Sequence, residues 1–277
     1  MSEPRTRHAL SLKPVVYRLE GMERVAIRRD IQYHQTETGP LTLDIYQPAA
    51  SADSRPAPVV LFVSGLPDVG VSNPLGCLFK EVEMFVSLAR LVASSGMAAV
   101  TYSTRHPVDD IERVIDYLDT NAGALNGDVG RLGLWAVSAH VPIALRTLMS
   151  RPRTFQAAVL SNGLTLDGEG TAIAEVFRKY GLVNPCAGRS VNDLPTQVPL
   201  FLTRSGRDEI LGLNEALDRF CSAAITRNLP VTLVNHPTAP HCFELNADDA
   251  LSRTTIVQML AFMRSHLSAP AGSPTRG

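Results

Sequence analysis

Residues 131–140 read RLGLWAVSAH: an apolar run, a serine, and the start of a segment with helical spacing. A continuous apolar run this short, bounded by turn residues, is how a strand covered on both faces of a parallel sheet is written. Ser138, which closes it, therefore stands at the carboxyl end of a strand, where open α/β sheets bind ligands. Five more runs of the same kind occur at residues 59–64 (VVLFVS), 98–103, 157–161, 200–204 and 231–236. They predict six successive buried strands.

Helical periods fill the intervals. Val82, Phe85, Val86, Ala89 and Val92 mark one apolar face, closed by Gly96 as a C′ residue. Ile111, Val114, Ile115 and Leu118 mark a second, and Leu213, Ala216, Leu217, Phe220, Ala224 and Ile225 a third. A last helix runs from Leu251 to about residue 267. Upstream, residues 25–34 and 41–47 (LTLDIYQ) alternate apolar and polar side chains, as half-exposed antiparallel strands do, with Gly39-Pro40 as the expected turn. The fold class is thus α/β, with a mostly parallel sheet of about eight strands, antiparallel at its N-terminal edge, and helices on both faces. One domain is expected over residues 21–268, preceded by an arm (1–20) and followed by a Pro/Ser/Gly-rich tail (269–277) read as disordered. The interval 164–198 exceeds what a helical crossover needs and is read as a small cap insertion, with Ile173, Val176, Phe177 and Leu182 as an apolar wall.

Composition excludes several functions. In 277 residues, 26 Lys+Arg stand against 27 Asp+Glu, a formal net charge of −1, which leaves no positive field for nucleic acid and no polybasic run for anionic lipid. No stretch approaches the ~18 consecutive apolar residues of a membrane span. The N-terminus shows no apolar h-region, so the expected address is cytoplasmic. Cys77, Cys186, Cys221 and Cys242 form no C-x-x-C pair, so neither a disulfide framework nor a zinc site is expected. No metal and no cofactor is predicted; the expected partner is a small molecule, and self-association is left open.

The polar residues at strand ends then carry the chemistry. Ser138 follows LGLWAV, Asp208 follows LFLTRSGR, and His241 follows the last strand in HPTAPHCFE. A serine hydroxyl is a poor nucleophile at neutral pH and needs a base within hydrogen-bond reach; imidazole accepts its proton and returns it to a leaving group. Asp208 would hold that imidazole in one tautomer. Glu209 is the competing acid and His236 the competing base; Asp208 and His241 are preferred. The amide of Ala139 at the helix start, with that of Gly65 or Leu66 after VVLFVS, would supply an oxyanion hole.

Taken together, LTLDIYQP (41–48), PVVLFVSG (58–65), RLGLWAVSAH (131–140), PLFLTRSGRDE (199–209) and PHCFE (240–244) resemble the α/β-hydrolases, most closely the dienelactone-hydrolase-like and acetylesterase-like enzymes, over roughly residues 40–267. The resemblance implies a serine esterase with the nucleophile, acid and base in the order Ser138, Asp208, His241. The departures are specific. The elbow G-x-S-x-G has Ala136 and His140 at its glycine positions; His140 is expected neutral, because a helix N-terminus disfavours an imidazolium. Ser64 stands where histidine is common, and Cys242 where glycine is usual. Dienelactone hydrolases proper use a cysteine nucleophile, so dienelactone itself is not the expected substrate. Asp68, His140, Val176, Phe177 and Cys242 are the candidate pocket residues, although solvated loop charge is the plainer reading of Asp68, Lys80 and Glu81. Two rival readings stay open: a non-catalytic binding protein whose elbow is degenerate at His140, and a dienelactone-hydrolase-like or C–C-bond-hydrolase-like enzyme.

Overall fold

The computed structural model describes residues 7–49, 56–68, 75–166 and 183–268. Its strands are β1 (Ala26–Thr36), β2 (Gly39–Gln47), β3 (Ala57–Phe62), β4 (Ala98–Tyr102), β5 (Gly127–Val137), β6 (Phe155–Ser161), β7 (Leu200–Ser205) and β8 (Val231–His236). They form one sheet in the order β1-β2-β4-β3-β5-β6-β7-β8. β1 and β2, and β2 and β4, pair antiparallel; every other neighbouring pair is parallel. The α-helices are α1 (Glu83–Ser94), α2 (Pro107–Leu125), α3 (Val141–Ser150), α4 (Leu213–Thr226), the single turn α5 (Phe243–Asn246) and α6 (Ala250–Ser268).

Alternation along the central strands sorts their side chains into two cores. From β5, Leu132, Leu134 and Ala136 join α2, α3 and α4 on one face, through Ile111, Val114, Leu145, Leu217 and Phe220. Trp135 and Val137 join α1 and α6 on the other, through Leu88, Leu91, Met259 and Met263. Each such aliphatic side chain withdrawn from water contributes roughly 1.5–3 kcal/mol. Gly133 lets α6 lie close to the sheet: a Cβ there would come within 2.3 Å of Met263 Cε.

Two expectations shift. The hairpin turn is residues 37–38, and Gly39 and Pro40 are already the first residues of β2, paired with Thr36 and Gln35. β8 is not buried on both faces. Among the described residues it is the last strand of the sheet, paired with β7 alone, and Thr232, Leu233 and Asn235 are exposed. No helix among the described residues is long and apolar enough to cross a membrane. Of the expected cap, residues 167–182 fall outside the described residues, and with them Ile173, Val176, Phe177 and Leu182; so do residues 69–74 and the tail 269–277.

Strand order decides where chemistry can gather. β3 and β6 flank β5, and β7 and β8 follow β6 in parallel, so the turns after all five strands open at one edge of the sheet.

Candidate active site

β5 ends at Val137, and Ser138–His140 form a tight 3-10 turn before α3 begins. Ser138 has φ +53°, a left-handed conformation that costs a non-glycine residue roughly 1–3 kcal/mol and lifts its side chain clear of strand and helix. The elbow itself has no glycine at 136 or 140, and the close approach is accommodated by the turns on either side. A Cβ on Gly65 would stand 2.6 Å from His140 Cα, and one on Gly163 would stand 2.4 Å from Val141 Cγ2. The steric demand is met from β3 and β6.

Ser138 Oγ lies 2.7 Å from His241 Nε2, and His241 Nδ1 lies 2.6 Å from Asp208 Oδ2. The Asp208 side chain is fully withdrawn from solvent, whereas that of His241 is 24% exposed. Asp208 Oδ1 accepts the Ile210 amide at 3.0 Å, which fixes the carboxylate with its other oxygen toward the imidazole. The acid and base loops are locked together: the Arg207 amide donates to Ala239 O at 2.9 Å, and Gly206 lies so near Pro237 that a Cβ would approach its carbonyl oxygen to 2.4 Å. Glu209 is exposed and makes no comparable contact among the described residues. His236 is buried at the end of β8, its Nε2 3.1 Å from Ser252 Oγ and 3.2 Å from Asp249 Oδ1. It anchors the start of α6 and stands apart from Ser138.

In the turn after β3, as elsewhere in a folded chain, every buried backbone N–H needs an acceptor. Ser64 N–H donates to Tyr102 Oη at 3.2 Å. Gly65 N–H donates to His140 Nδ1 at 2.6 Å. Pro67 has no N–H, and Asp68 N–H donates to Thr104 O at 2.8 Å. Among the described residues that leaves the amide of Leu66 as the one N–H of the turn with no acceptor. Across from it, Ala139 N–H sits at the start of the elbow turn, where a helix amide has no intrahelical partner. Of the expected donors, Leu66 and Ala139 are thus the two whose amides have no acceptor among the described residues. Gly65, the third expected donor, is corrected: its N–H already donates to His140 Nδ1.

His140 is only 6% exposed. Its ring meets Phe79 and Phe85 edge to face, with centroids 5.0 and 5.2 Å away. Burial pulls its pKa down to about 4, so the imidazole is neutral at physiological pH, and Nδ1 is the acceptor nitrogen. Asp68 is also buried, correcting the reading of a solvated loop charge. Its Oδ1 accepts the Phe79 amide at 2.6 Å and its Oδ2 the Thr104 amide; burial pushes its pKa up to about 6 against those two bonds. Lys80, likewise read as solvated, is 2% exposed and reaches Asp44 Oδ1 at 2.7 Å and Asp30 Oδ1 at 2.5 Å. Arg105 turns outward to Thr36 and Thr38 of the first hairpin.

Cys242 has φ +52° and caps α5 beside His241. Burial, with the Glu244 and Asp208 carboxylates near it, pushes its thiol well above the ordinary value, so it stays protonated and is no rival nucleophile. Glu244, quoted in PHCFE but given no role there, is fully buried and accepts from Ser161 Oγ and from Asn162 Nδ2, the latter at 2.8 Å. Asn162, at φ +47°, accepts in turn from Ser205 Oγ. This polar net ties the ends of β6 and β7 to the turn that follows His241. Sequence reasoning also missed Phe79, Phe85 and Tyr102 as supports of the β3 turn; their spacing signals only core.

No protein-family model matches the sequence, and no curated protein is detectably similar to it. Solved structures do resemble the chain. A bacterial heroin esterase is 17% identical, with TM-score 0.67 over 92% of this chain and 88% of that one. A thermophilic esterase from the planctomycete Thermogutta terrifontis is 19% identical, with TM-score 0.66 over 92% and 96%. An α/β-hydrolase from the metagenome of Lake Arreo, Spain, is 15% identical, with TM-score 0.68 over 88% and 83%. The chain therefore has the α/β-hydrolase fold. The narrower likeness to dienelactone hydrolases receives no support from these neighbours.

Proposed function

We propose that the protein is a serine hydrolase that cleaves carboxylic esters of small to medium size through an acyl-enzyme on Ser138. The observation that carries the reading is the unbroken chain Ser138 Oγ, His241 Nε2 and Nδ1, Asp208 Oδ2, at 2.7 and 2.6 Å, hung on a serine in the left-handed conformation. Asp208 accepts a hydrogen bond from the Nδ1–H, which keeps that proton on Nδ1 and leaves the Nε2 lone pair facing Ser138. His241 takes the hydroxyl proton as Oγ attacks the ester carbonyl, and the carbonyl electrons move to oxygen. That oxyanion would sit on the Leu66 and Ala139 amides, a fixed donor pair of the kind worth about 2.7–4 kcal/mol per donor in the transition state. His241 then hands its proton to the departing alcohol. Water, deprotonated by the same imidazole, attacks the acyl-enzyme; as the Oγ–acyl bond breaks, His241 returns that proton to Ser138 Oγ and the carboxylic acid is released.

The esterase names of the two neighbours support an ester as substrate, and a further structure of the Thermogutta terrifontis enzyme, phosphonylated by sarin, makes phosphonates natural probes here. The reading of a degenerate elbow rested on His140 distorting the turn or blocking it. Its ring is lodged between Phe79 and Phe85, which favours the catalytic reading. The test is labelling by a fluorophosphonate together with turnover of p-nitrophenyl esters of increasing acyl length, on wild type and Ser138→Ala. Wild type is expected to label and to turn over, and the variant to do neither. Equal labelling of the two proteins sinks the assignment.

A further inference from the structure

We propose that His140 is a positioning residue for the oxyanion hole: by accepting the Gly65 N–H it fixes the turn after β3 so that the Leu66 N–H, paired with that of Ala139, faces the substrate carbonyl oxygen. The inference rests on the esterase reading and deepens it. Three anchors hold this turn, Tyr102 on Ser64, His140 on Gly65, and Thr104 on Asp68, and Pro67 contributes no donor. The anchor at Gly65 is the one that reaches the elbow itself, because His140 is the second residue after the nucleophile. One side chain thus ties the turn carrying one oxyanion donor to the turn carrying the other.

Two features make that tie rigid. The ring is clamped edge to face by Phe79 and Phe85, and the backbones touch so closely that only glycine fits at 65. Without the acceptor, the buried Gly65 amide would have to turn to find another partner, and the next peptide, which carries the Leu66 N–H, would turn with it. A histidine at an elbow position where glycine is usual is on this account a working part.

Two substitutions separate acceptor from packing. In His140→Asn the amide oxygen can take the place of Nδ1, but the ring is lost. In His140→Phe the ring is kept and the acceptor is lost. Measured on p-nitrophenyl acetate, His140→Phe is expected to lose roughly 10²-fold in kcat, the scale of a misplaced donor, with KM nearly unchanged. Its inhibition constant for a trifluoromethyl ketone, which forms an oxyanion on the serine, should rise by a similar factor. His140→Asn is expected to stay within about tenfold of wild type in kcat while melting at a lower temperature than His140→Phe. Activity would then follow the acceptor and stability the ring. A His140→Phe enzyme with wild-type kcat, or a pair whose activities rank with their melting temperatures, overturns the positioning role and leaves the esterase reading standing. Wild-type protein that neither labels with a fluorophosphonate nor hydrolyses esters overturns both.

Discussion

Replacing His140 by Phe should change the way stability depends on pH, in a direction fixed by burial. In the folded chain His140 titrates at about 4, against about 6.5 for an unperturbed imidazole. Between those values the unfolded chain binds a proton that the native one refuses. A base with a lowered native pKa thus contributes stability that is intact above about 6.5 and is lost as pH falls toward 4. From pH 7 to pH 5 that loss is about 2 kcal/mol for wild type, and His140→Phe is spared it. At pH 7 the variant has its own penalty, the orphaned Gly65 amide, on the order of 1–3 kcal/mol. The stability gap between the two proteins should therefore close by about 2 kcal/mol between pH 7 and pH 5, read from urea unfolding at both pH values. Taking the difference removes every titrating group common to the two chains. A gap that stays constant, or widens in acid, would show that His140 protonates freely in the native state and would refute the buried, neutral acceptor.

Three further outcomes are expected. Asp208→Asn should lower kcat by roughly 10³–10⁴-fold, because the imidazole loses the partner that sets its tautomer; activity within tenfold of wild type would move the acid elsewhere. Gly65→Ala should destabilise by about 1–3 kcal/mol and impair turnover, since its Cβ would stand 2.6 Å from the His140 Cα; a melting temperature equal to wild type would contradict that contact. Lys80→Ala should cost about 3 kcal/mol by leaving Asp44, 1% exposed, with the Asp30 amide and the more distant Arg29 but no cation in close contact; an unchanged urea midpoint would argue that those two partners suffice to hold the carboxylate.

The legible parts of this molecule are the ones that local pattern controls. LGLWAV is short, apolar and bounded by turn residues, which marks a covered strand, and parallel strands end at one edge, which is why Ser138, Asp208 and His241 meet. What escaped depends on partners far along the chain. The acceptor for Gly65 lies 75 positions away, and nothing near residue 65 announces it. Asp68 and Lys80 read as solvated because the strands that bury them, with Thr104, Asp44 and Asp30, are assembled by topology. β8 carries Val231, Leu233 and Val234 like a covered strand, but it lies at the edge of the sheet, a place its own sequence does not announce. β5 begins at Gly127, ahead of its apolar run, since Gly127 and Asp128 pair with Ala57 and Pro58 before a register shift.

Asp68 has a consequence for proton stoichiometry. Its carboxyl, at about 6 in the native chain against an ordinary 3.8, takes up in acid a proton that the unfolded chain binds only later, so it stabilises the fold as pH falls through the same interval in which His140 weakens it. Between pH 4 and 6 the native state holds one proton more at position 68 and one fewer at 140, and the two slopes cancel. Both groups grip the turn that carries Leu66. A wild-type stability profile that is level across this range would thus conceal two opposed titrations, and it takes the removal of one of them to see the other.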